Sequence, residues 1–349
     1  MDVDDRLELV TKEPTEEVIT AEELRTLLEA KAHPKHYIGL EISGVLHLGS
    51  LVLTGFKIND FIKAGIDTTV FLADWHTYIN DKLGGDWDRI KQVSEYYAEA
   101  FKVFCPGVNI VLGSDMYEQM GEKYWERFVR FSKHMTLART MRSLTIMGRS
   151  EEEKNLDLAQ LFYPPMQSVD IKALDLDIVH AGLDQRKIHM LVREIFPKLK
   201  WKVPVLVHHH LLPGLSEPEK MAAGGNAEDA RIASKMSKTK PAGGILVHDD
   251  EKAIREKIAK AFCPVGIAEG NPVLELVRHV VFHEFRDFTI ERPAKYGGDT
   301  TYSSYKEVER DFVDKKIHPM DLKNATANYV NKIIAPIQKH FKGKEPDLL

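Results

Sequence analysis

Five short apolar runs constrain this chain more than any other feature. They are "HYIGLEI", "DTTVFLADWH", "VNIVLGSD", "LDIVHAG" and "WKVPVLVHH", spread between residues 36 and 209. Helical stretches separate them. In "WDRIKQVSEYYAEAFKVF", for example, Ile90, Val93, Tyr97, Phe101 and Phe104 fall on one face. Runs that are apolar throughout read as strands buried on both sides. When helices connect such strands, the economical solution is α/β: a doubly wound, parallel, Rossmann-type sheet. In sheets of this kind ligands sit at the carboxyl ends of the strands, beside a topological switch point.

The rest of the chain divides around that sheet. Residues 1–32 form an N-terminal segment and a helix. The helix opens where Thr20 and Glu23 have capping-box spacing ahead of Leu24, Leu27 and Leu28, and the first 15 residues are expected to be disordered or weakly ordered. Residues 33–218 are expected to form the Rossmann-type domain. Within it, residues 116–160 are helical, polar and rich in Arg and Met, and read as an insertion between strands. A basic loop and linker covers 219–250. A mostly α-helical domain spans 251–349, and its last helix carries Val330, Ile333, Ile334, Ile337 and Phe341 on one face.

Several function classes are disfavoured. No apolar run approaches the roughly 18 residues that span a bilayer, and the acidic start "MDVDDRLELV" is unlike a secretory signal. The lone Cys105 and Cys263 form neither a zinc framework nor a disulfide scaffold, which suits the cytosol. Net charge is −5, so any nucleic-acid contact must come from local patches. His208, His209 and His210 are consecutive on a strand and point to alternating faces, with no cysteine or acidic partner at zinc spacing. No protein-bound metal is expected.

Two stretches carry phosphate chemistry. In "SGVLHLGS", Gly44 permits a tight turn after a strand, while His47 and Gly49 open the next helix. A helix N-terminus offers unpaired N–H groups and a positive dipole end to an anion. In "RIASKMSKTKP", Lys235, Lys238 and Lys240 alternate with Ser234, Ser237 and Thr239, on a segment followed by Gly243 and Gly244. Taken singly, each also fits a plain glycine turn and a solvated basic loop. Neither G-x-x-x-x-G-K-[ST] nor G-x-G-x-x-G occurs, so a nucleotide here would use a different cradle.

Together, an H-x-G turn after the first strand and a K-M-S-K loop after the last resemble the two signatures of class I aminoacyl-tRNA synthetases. The segments "YIGLEISGVLHLGS", "LADWHTYIN", "LFYPPMQSVDI", "AGLDQRKIHML", "KMSKTK", "AFCPVGIAEGNP" and "HPMDLKNA" follow the order seen in archaeal and eukaryotic tyrosyl-tRNA synthetases. The resemblance covers nearly the whole chain. It implies that tyrosine is activated with ATP and Mg²⁺ to tyrosyl-adenylate, releasing pyrophosphate, and then transferred to the 3′-terminal adenosine of tRNA(Tyr). It implies that His47, Lys235 and Lys238 are catalytic, and that Gly44, Gly49, Gly182, Asp184, Met236 and Ser237 join them in binding ATP. Tyrosine would be held by Tyr37, Gly39, Glu41, Tyr163, Gln167, Asp170 and Gln185. Tyr37 and Asp170 would meet the phenol, and Tyr163, Gln167 and Gln185 the α-amino end. If "FYPPMQSVD" is helical, Tyr163, Gln167 and Asp170 share one face.

The tRNA would be contacted by Arg142, Arg186 and Lys187 near the acceptor end, with Arg139 a further candidate. Tyr296, His318 and Asp321 would meet the anticodon in the C-terminal domain, where an aromatic can stack and a carboxylate can accept from a guanine edge. Asp321 is alternatively a helix cap. A homodimer formed through the insertion, a cytoplasmic location and no membrane contact are also implied.

Four positions depart from the family pattern. Ser50 replaces a second histidine and Ile42 a proline. Tyr117 stands where a glutamine is frequent, and Thr239 where serine is common. Tyr117 keeps tryptophan open as the amino acid. A catalytically silent relative that binds tRNA or another partner is the alternative from another class, against which His47, Lys235 and Lys238 all speak.

Overall fold

A computed structural model describes residues 1–147, 156–218, 234–236 and 243–344. It divides into two compact units, residues 1–44 with 57–210, and residues 45–56 with 211–349. The division does not fall at residue 218: the stretch from Val45 to Phe56 belongs with the second unit.

The first unit holds six strands: β1 (Thr15–Ile19), β2 (Lys35–Leu40), β3 (Asp67–Leu72), β4 (Asn109–Leu112), β5 (Ile178–Gly182) and β6 (Val205–His209). Their order is β1-β6-β5-β2-β3-β4. Strands β2 to β6 pair in parallel and β1 runs antiparallel to β6 at the edge. From β2 the chain proceeds outward through β3 and β4, then returns to β2's other side for β5 and β6. The switch point therefore lies at the carboxyl ends of β2 and β5. The period-two alternation of strands explains the apolar runs: Val205 and Val207 enter one core with Leu24, Phe61 and Ile178, while Leu206 enters the other with Tyr37, Phe71 and Val179.

Two local expectations are corrected. The first 15 residues are ordered, with a helix Val3–Thr11 followed by β1. Arg6 fastens that helix: buried, it donates to the carbonyls of Ala64 (2.8 Å), Leu28 (2.8 Å), Lys31 (3.2 Å) and Ala32 (2.9 Å). Lys57, fully buried, donates to the carbonyls of Leu9 and Lys12 at the helix's other end. The run "DTTVFLADWH" is strand only to Leu72; Asp74–Ile79 is a helix. In the second unit, helices Glu251–Lys260, Tyr305–Val313 and Pro319–Phe341 are joined by a small antiparallel hairpin, β7 (Phe288–Ile290) and β8 (Thr300–Tyr302). The expected stripe from Val330 to Phe341 is buried. The Thr20–Glu23 capping box forms with both bonds at 3.2 Å. Among the described residues no helix is long and apolar enough to cross a membrane.

Arg6→Ala leaves several buried carbonyls without their donor and is expected to lower the unfolding free energy by about 3 kcal/mol. Urea unfolding checks this; an unchanged midpoint would mean the N-terminal helix is not anchored through Arg6.

Candidate functional site

In the first unit the site is built around one carboxylate. Asp170 lies on the helix Tyr163–Ala173, whose opening prolines, Pro164 and Pro165, suit a first turn that needs no N–H partners. Its side chain is 1% exposed. Tyr124, from the helix Glu122–Ser132, donates to Asp170 Oδ1 at 2.8 Å. Tyr117, from the helix Gly113–Met120, donates to Oδ2 at 3.1 Å. His76 Nε2 stands 3.6 Å from Oδ2. Burial pushes the Asp170 carboxyl up to about 8, against the two tyrosine bonds that favour its ionised form. Burial also takes His76 down to about 3, so the ring is neutral and no ion pair forms with Asp170. Both ring nitrogens of His76 are buried without a hydrogen-bond partner among the described residues.

Tyr37 on β2 is buried in the same core. Burial first, then the charge of Asp170, pushes its hydroxyl pKa up. Gly39 lies two residues further along β2, where an added Cβ would rest 3.5 Å from the Tyr37 ring. Glu41 follows β2 and gathers a second cluster. It accepts from Asn80 Nδ2 at 2.6 Å, meets Lys82 Nζ at 3.8 Å and bonds the buried Tyr163. The edge of His76 packs on Tyr163 with ring centroids 4.6 Å apart, joining the two clusters. Gln167 Nε2 donates to Gln185 Oε1 at 3.2 Å, and Gln185 Nε2 to the carbonyl of Ile146 at 3.2 Å. Gln167 Oε1 is left buried without a donor among the described residues, an acceptor suited to an ammonium group. Gly182 ends β5, and Asp184 sits in the turn Leu183–Gln185 after it. Gly44 has φ +106°, a conformation only glycine adopts without strain.

Two of the departures acquire roles here. The Ile42 N–H donates to Thr77 Oγ1 at 2.8 Å, a bond proline cannot make. Tyr117 is a direct partner of Asp170. Sequence reasoning missed Tyr124, His76 and Asn80; the last two lie in "LADWHTYIN", so that stretch carried a signal.

In the second unit His47 caps its own helix. Its Nδ1 accepts from the N–H of Gly49 (3.1 Å) and of Ser50 (3.4 Å), while Ser50 Oγ accepts from the His47 N–H at 2.9 Å. A Cβ on Gly49 would come within 3.1 Å of the ring, so glycine lets the imidazole fold back. An accepting Nδ1 puts the ring proton on Nε2, the edge able to donate to a phosphate oxygen. Met236 is buried and its N–H donates to the Leu212 carbonyl at 2.7 Å; Lys235 beside it is exposed. Ser237, Lys238 and Thr239 lie outside the described residues.

The proposed tRNA contacts are spread over both units. In the first, Arg142 is exposed on the helix Leu137–Ser143. Arg186 is paired with Glu17 at 2.9 Å, and Lys187 Nζ reaches Thr145 Oγ1 at 3.4 Å. Arg139 is committed to Glu194 through both terminal nitrogens. In the second unit, His318 rather than Asp321 caps the helix Pro319–Phe341, and Asp321 lies in its first turn. Tyr296 ends the short turn Ala294–Tyr296. The three consecutive histidines go to separate partners within the first unit: His208 to His189 and Glu17, His209 to His180, His210 to Glu16.

A six-stranded Rossmann-type sheet, a buried cluster of acceptors beside β2 and a histidine-capped helix turn define a class I synthetase. The family described as tRNA synthetases class I (W and Y) matches residues 29–335. The tyrosine–tRNA ligase of Thermococcus sibiricus is 47% identical over 369 residues, covering all of this chain and 97% of that protein. That of Pyrococcus furiosus is 47% identical over 365 residues, with 98% and 96% covered. The crystal structure of tyrosyl-tRNA synthetase complexed with L-tyrosine from Pyrococcus horikoshii matches with a TM-score of 0.92 and 45% identity, covering 99% of this chain and 97% of that one. The chain belongs to the class I tyrosyl-tRNA synthetases of the archaeal and eukaryotic type.

The raised pKa of Asp170 has a consequence for stability. A carboxyl raised from 3.8 to about 8 by folding binds its proton more tightly in the native state. Its contribution to stability therefore falls as pH rises from about 4 to about 8. Asp170→Asn, which cannot ionise, is expected to melt about 3 °C or more above the parent at pH 8.5, with the gap closing at pH 5. Calorimetry at the two pH values checks this, and a pH-independent difference would contradict it.

Proposed function

We infer that this enzyme is a tyrosine–tRNA ligase. It activates tyrosine with ATP to tyrosyl-adenylate and then esterifies tRNA(Tyr) with tyrosine. The observation that carries the amino-acid choice is Asp170, a buried carboxylate with a tyrosine hydroxyl on each oxygen and Tyr37 in the same core. A substrate phenol donates its O–H to Asp170 while Tyr37 meets the phenol oxygen. Phenylalanine would fill the same volume and leave the carboxylate unmatched, a discrimination for which tyrosyl-tRNA synthetases are themselves the standard example. At the other end of the substrate, Gln167 Oε1 supplies the acceptor its ammonium needs, with Tyr163 and Gln185 beside it. Glu41 fixes Tyr163, and Gly39 keeps the strand surface open.

In the first step a carboxylate oxygen of tyrosine attacks the α-phosphorus of ATP. The bond from that phosphorus to the bridging oxygen breaks, and pyrophosphate departs with the Mg²⁺ that accompanied ATP. The protein's part is alignment and charge. His47 donates from Nε2 to phosphate oxygen, Gly44 and Gly49 allow close backbone approach, and Lys235 and Lys238 offset the charge that develops on the departing phosphates. Met236 anchors the lysine segment, and Ser237 adds a hydroxyl. Asp184 accepts from a ribose hydroxyl beside Gly182. In the second step a hydroxyl of the terminal ribose attacks the adenylate's carbonyl carbon and AMP leaves. Arg142, Arg186 and Lys187 serve the acceptor end; Tyr296, His318 and Asp321 serve the anticodon.

Exposed apolar side chains in and beside the insertion support a homodimer. Trp125 and Val129 are 54% and 61% exposed on one helix, Leu158 and Phe162 are 70% and 40% exposed, and Phe128 packs between Trp125 and Phe162. The cytoplasm is the compartment that fits this activity.

With purified protein, Mg²⁺ and each of the twenty amino acids in turn, ATP–pyrophosphate exchange is expected with tyrosine alone. Asp170→Ala is expected to lower it by at least about 100-fold; retained exchange would refute the pocket. Asp321→Ala is expected to raise the KM for tRNA in charging and spare exchange, whereas equal loss in both assays would place Asp321 elsewhere.

A further inference from the structure

Arg186 opens the helix that follows the turn Leu183–Gln185, but its guanidinium is fixed from a distant part of the chain. Its Nε contacts both oxygens of Glu17, at 3.0 and 2.9 Å. Glu17 lies on the edge strand β1, in register with His208 on β6. That pairing places His208 Nδ1 2.8 Å from Glu17 Oε2. The other ring nitrogen, Nε2, is 3.0 Å from His189 Nδ1, and both imidazoles are buried. Two rules settle the protons along this chain. An ionised carboxylate can only accept, so His208 donates from Nδ1. A buried neutral imidazole has one proton, so His208 Nε2 accepts from His189 Nδ1–H. Burial holds His208 and His189 below the usual histidine range, in keeping with neutral rings. Burial alone would raise Glu17, but the bonds from Arg186 and His208 outweigh it and hold the carboxyl below its ordinary value.

The result is a set of donors converging on Glu17, with His189 donating to His208 and His208 to Glu17 from the core, and Arg186, a partly exposed cation, donating to Glu17 from the other side. We propose that Glu17 is a positioning residue for tRNA. Held by the His208–His189 pair, it fixes the Arg186 guanidinium for the acceptor end and touches neither tyrosine nor ATP. The inference rests on Arg186 being an acceptor-end contact. An arginine otherwise has many rotamers, and holding one of them in advance removes part of the ordering cost of binding. A carboxylate carried by a strand and bonded to a buried imidazole is a firmer support than one on a surface helix, because the sheet register sets its place.

Glu17→Gln, Arg186→Ala and the double variant test this against the parent enzyme, with tRNA charging and tRNA-independent exchange measured side by side. Glu17→Gln is expected to raise the KM for tRNA about fivefold and leave exchange with tyrosine unchanged. The double variant is expected to match Arg186→Ala alone, because Glu17 acts only through Arg186. If Glu17→Gln fails to fold, Glu17→Asp keeps the charge but withdraws it from the guanidinium, and the same rise in KM is expected. Additive losses in the double variant, or a Glu17→Gln KM equal to or below the parent's, would overturn the proposal. An Arg186→Ala enzyme with parental KM for tRNA would instead remove Arg186 from the tRNA contacts, and the role of Glu17 with it.

Discussion

The pocket depends on keeping one carboxylate out of water. Desolvating Asp170 is unfavourable for its charged form, and the surroundings are arranged to offset that without cancelling it. Two hydroxyls, from Tyr117 and Tyr124, occupy one position on each oxygen. Among the described residues no cation is paired with Asp170: His76 is close but neutral. A lysine or arginine there would satisfy the carboxylate permanently and leave it nothing to recognise. Two neutral donors hold its orientation and leave it wanting a further one. In the proposed function, selectivity for a phenol follows from that unfinished state.

The same economy recurs around the site. Polar side chains are held by one another and by backbone, so that each presents a single edge. His47 uses Nδ1 to cap its own helix, which assigns its proton to Nε2. Gln185 is held by the Ile146 carbonyl and in turn receives Gln167. Glu41 is held by Asn80 and fixes Tyr163. These arrangements cost stability and supply prior orientation, the main thing a protein can contribute to adenylate formation, where alignment and charge matter more than covalent help. The sheet makes this possible, since the carboxyl ends of β2 and β5 diverge at the switch point and open the space the side chains line.

Much of this was legible in the sequence. The strands β5 and β6 announced themselves as apolar runs because both of their faces are buried, whereas β4, at the sheet edge, is only partly buried. The spacing of Tyr163, Gln167 and Asp170 put three polar groups on one helical face. What the sequence hid was long-range. Tyr117 and Tyr124 lie 53 and 46 residues from Asp170 along the chain, and nothing local marks either as its partner. Strand β1, "TEEVI", opens on a threonine and two glutamates and has no apolar run of strand length; only its pairing with β6 makes it a strand. The N-terminal helix looked unanchored because its anchor, Arg6, reads as a solvated charge until four carbonyls converge on it. The turn "HLGS" was readable as a helix start, but not the fold-back of His47 that orients its proton.

The central claim is that Asp170 recognises the phenol as an ionised acceptor. It is tested most directly by isotope-edited infrared spectroscopy of the Asp170 carboxyl, with and without tyrosine, across pH 5 to 10. A protonated carbonyl band is expected that disappears near pH 8 in the free enzyme, and at clearly lower pH once tyrosine is bound, because a donated phenol O–H stabilises the carboxylate. A band that persists unchanged, or strengthens, when tyrosine binds would mean that Asp170 meets the substrate as a neutral acid.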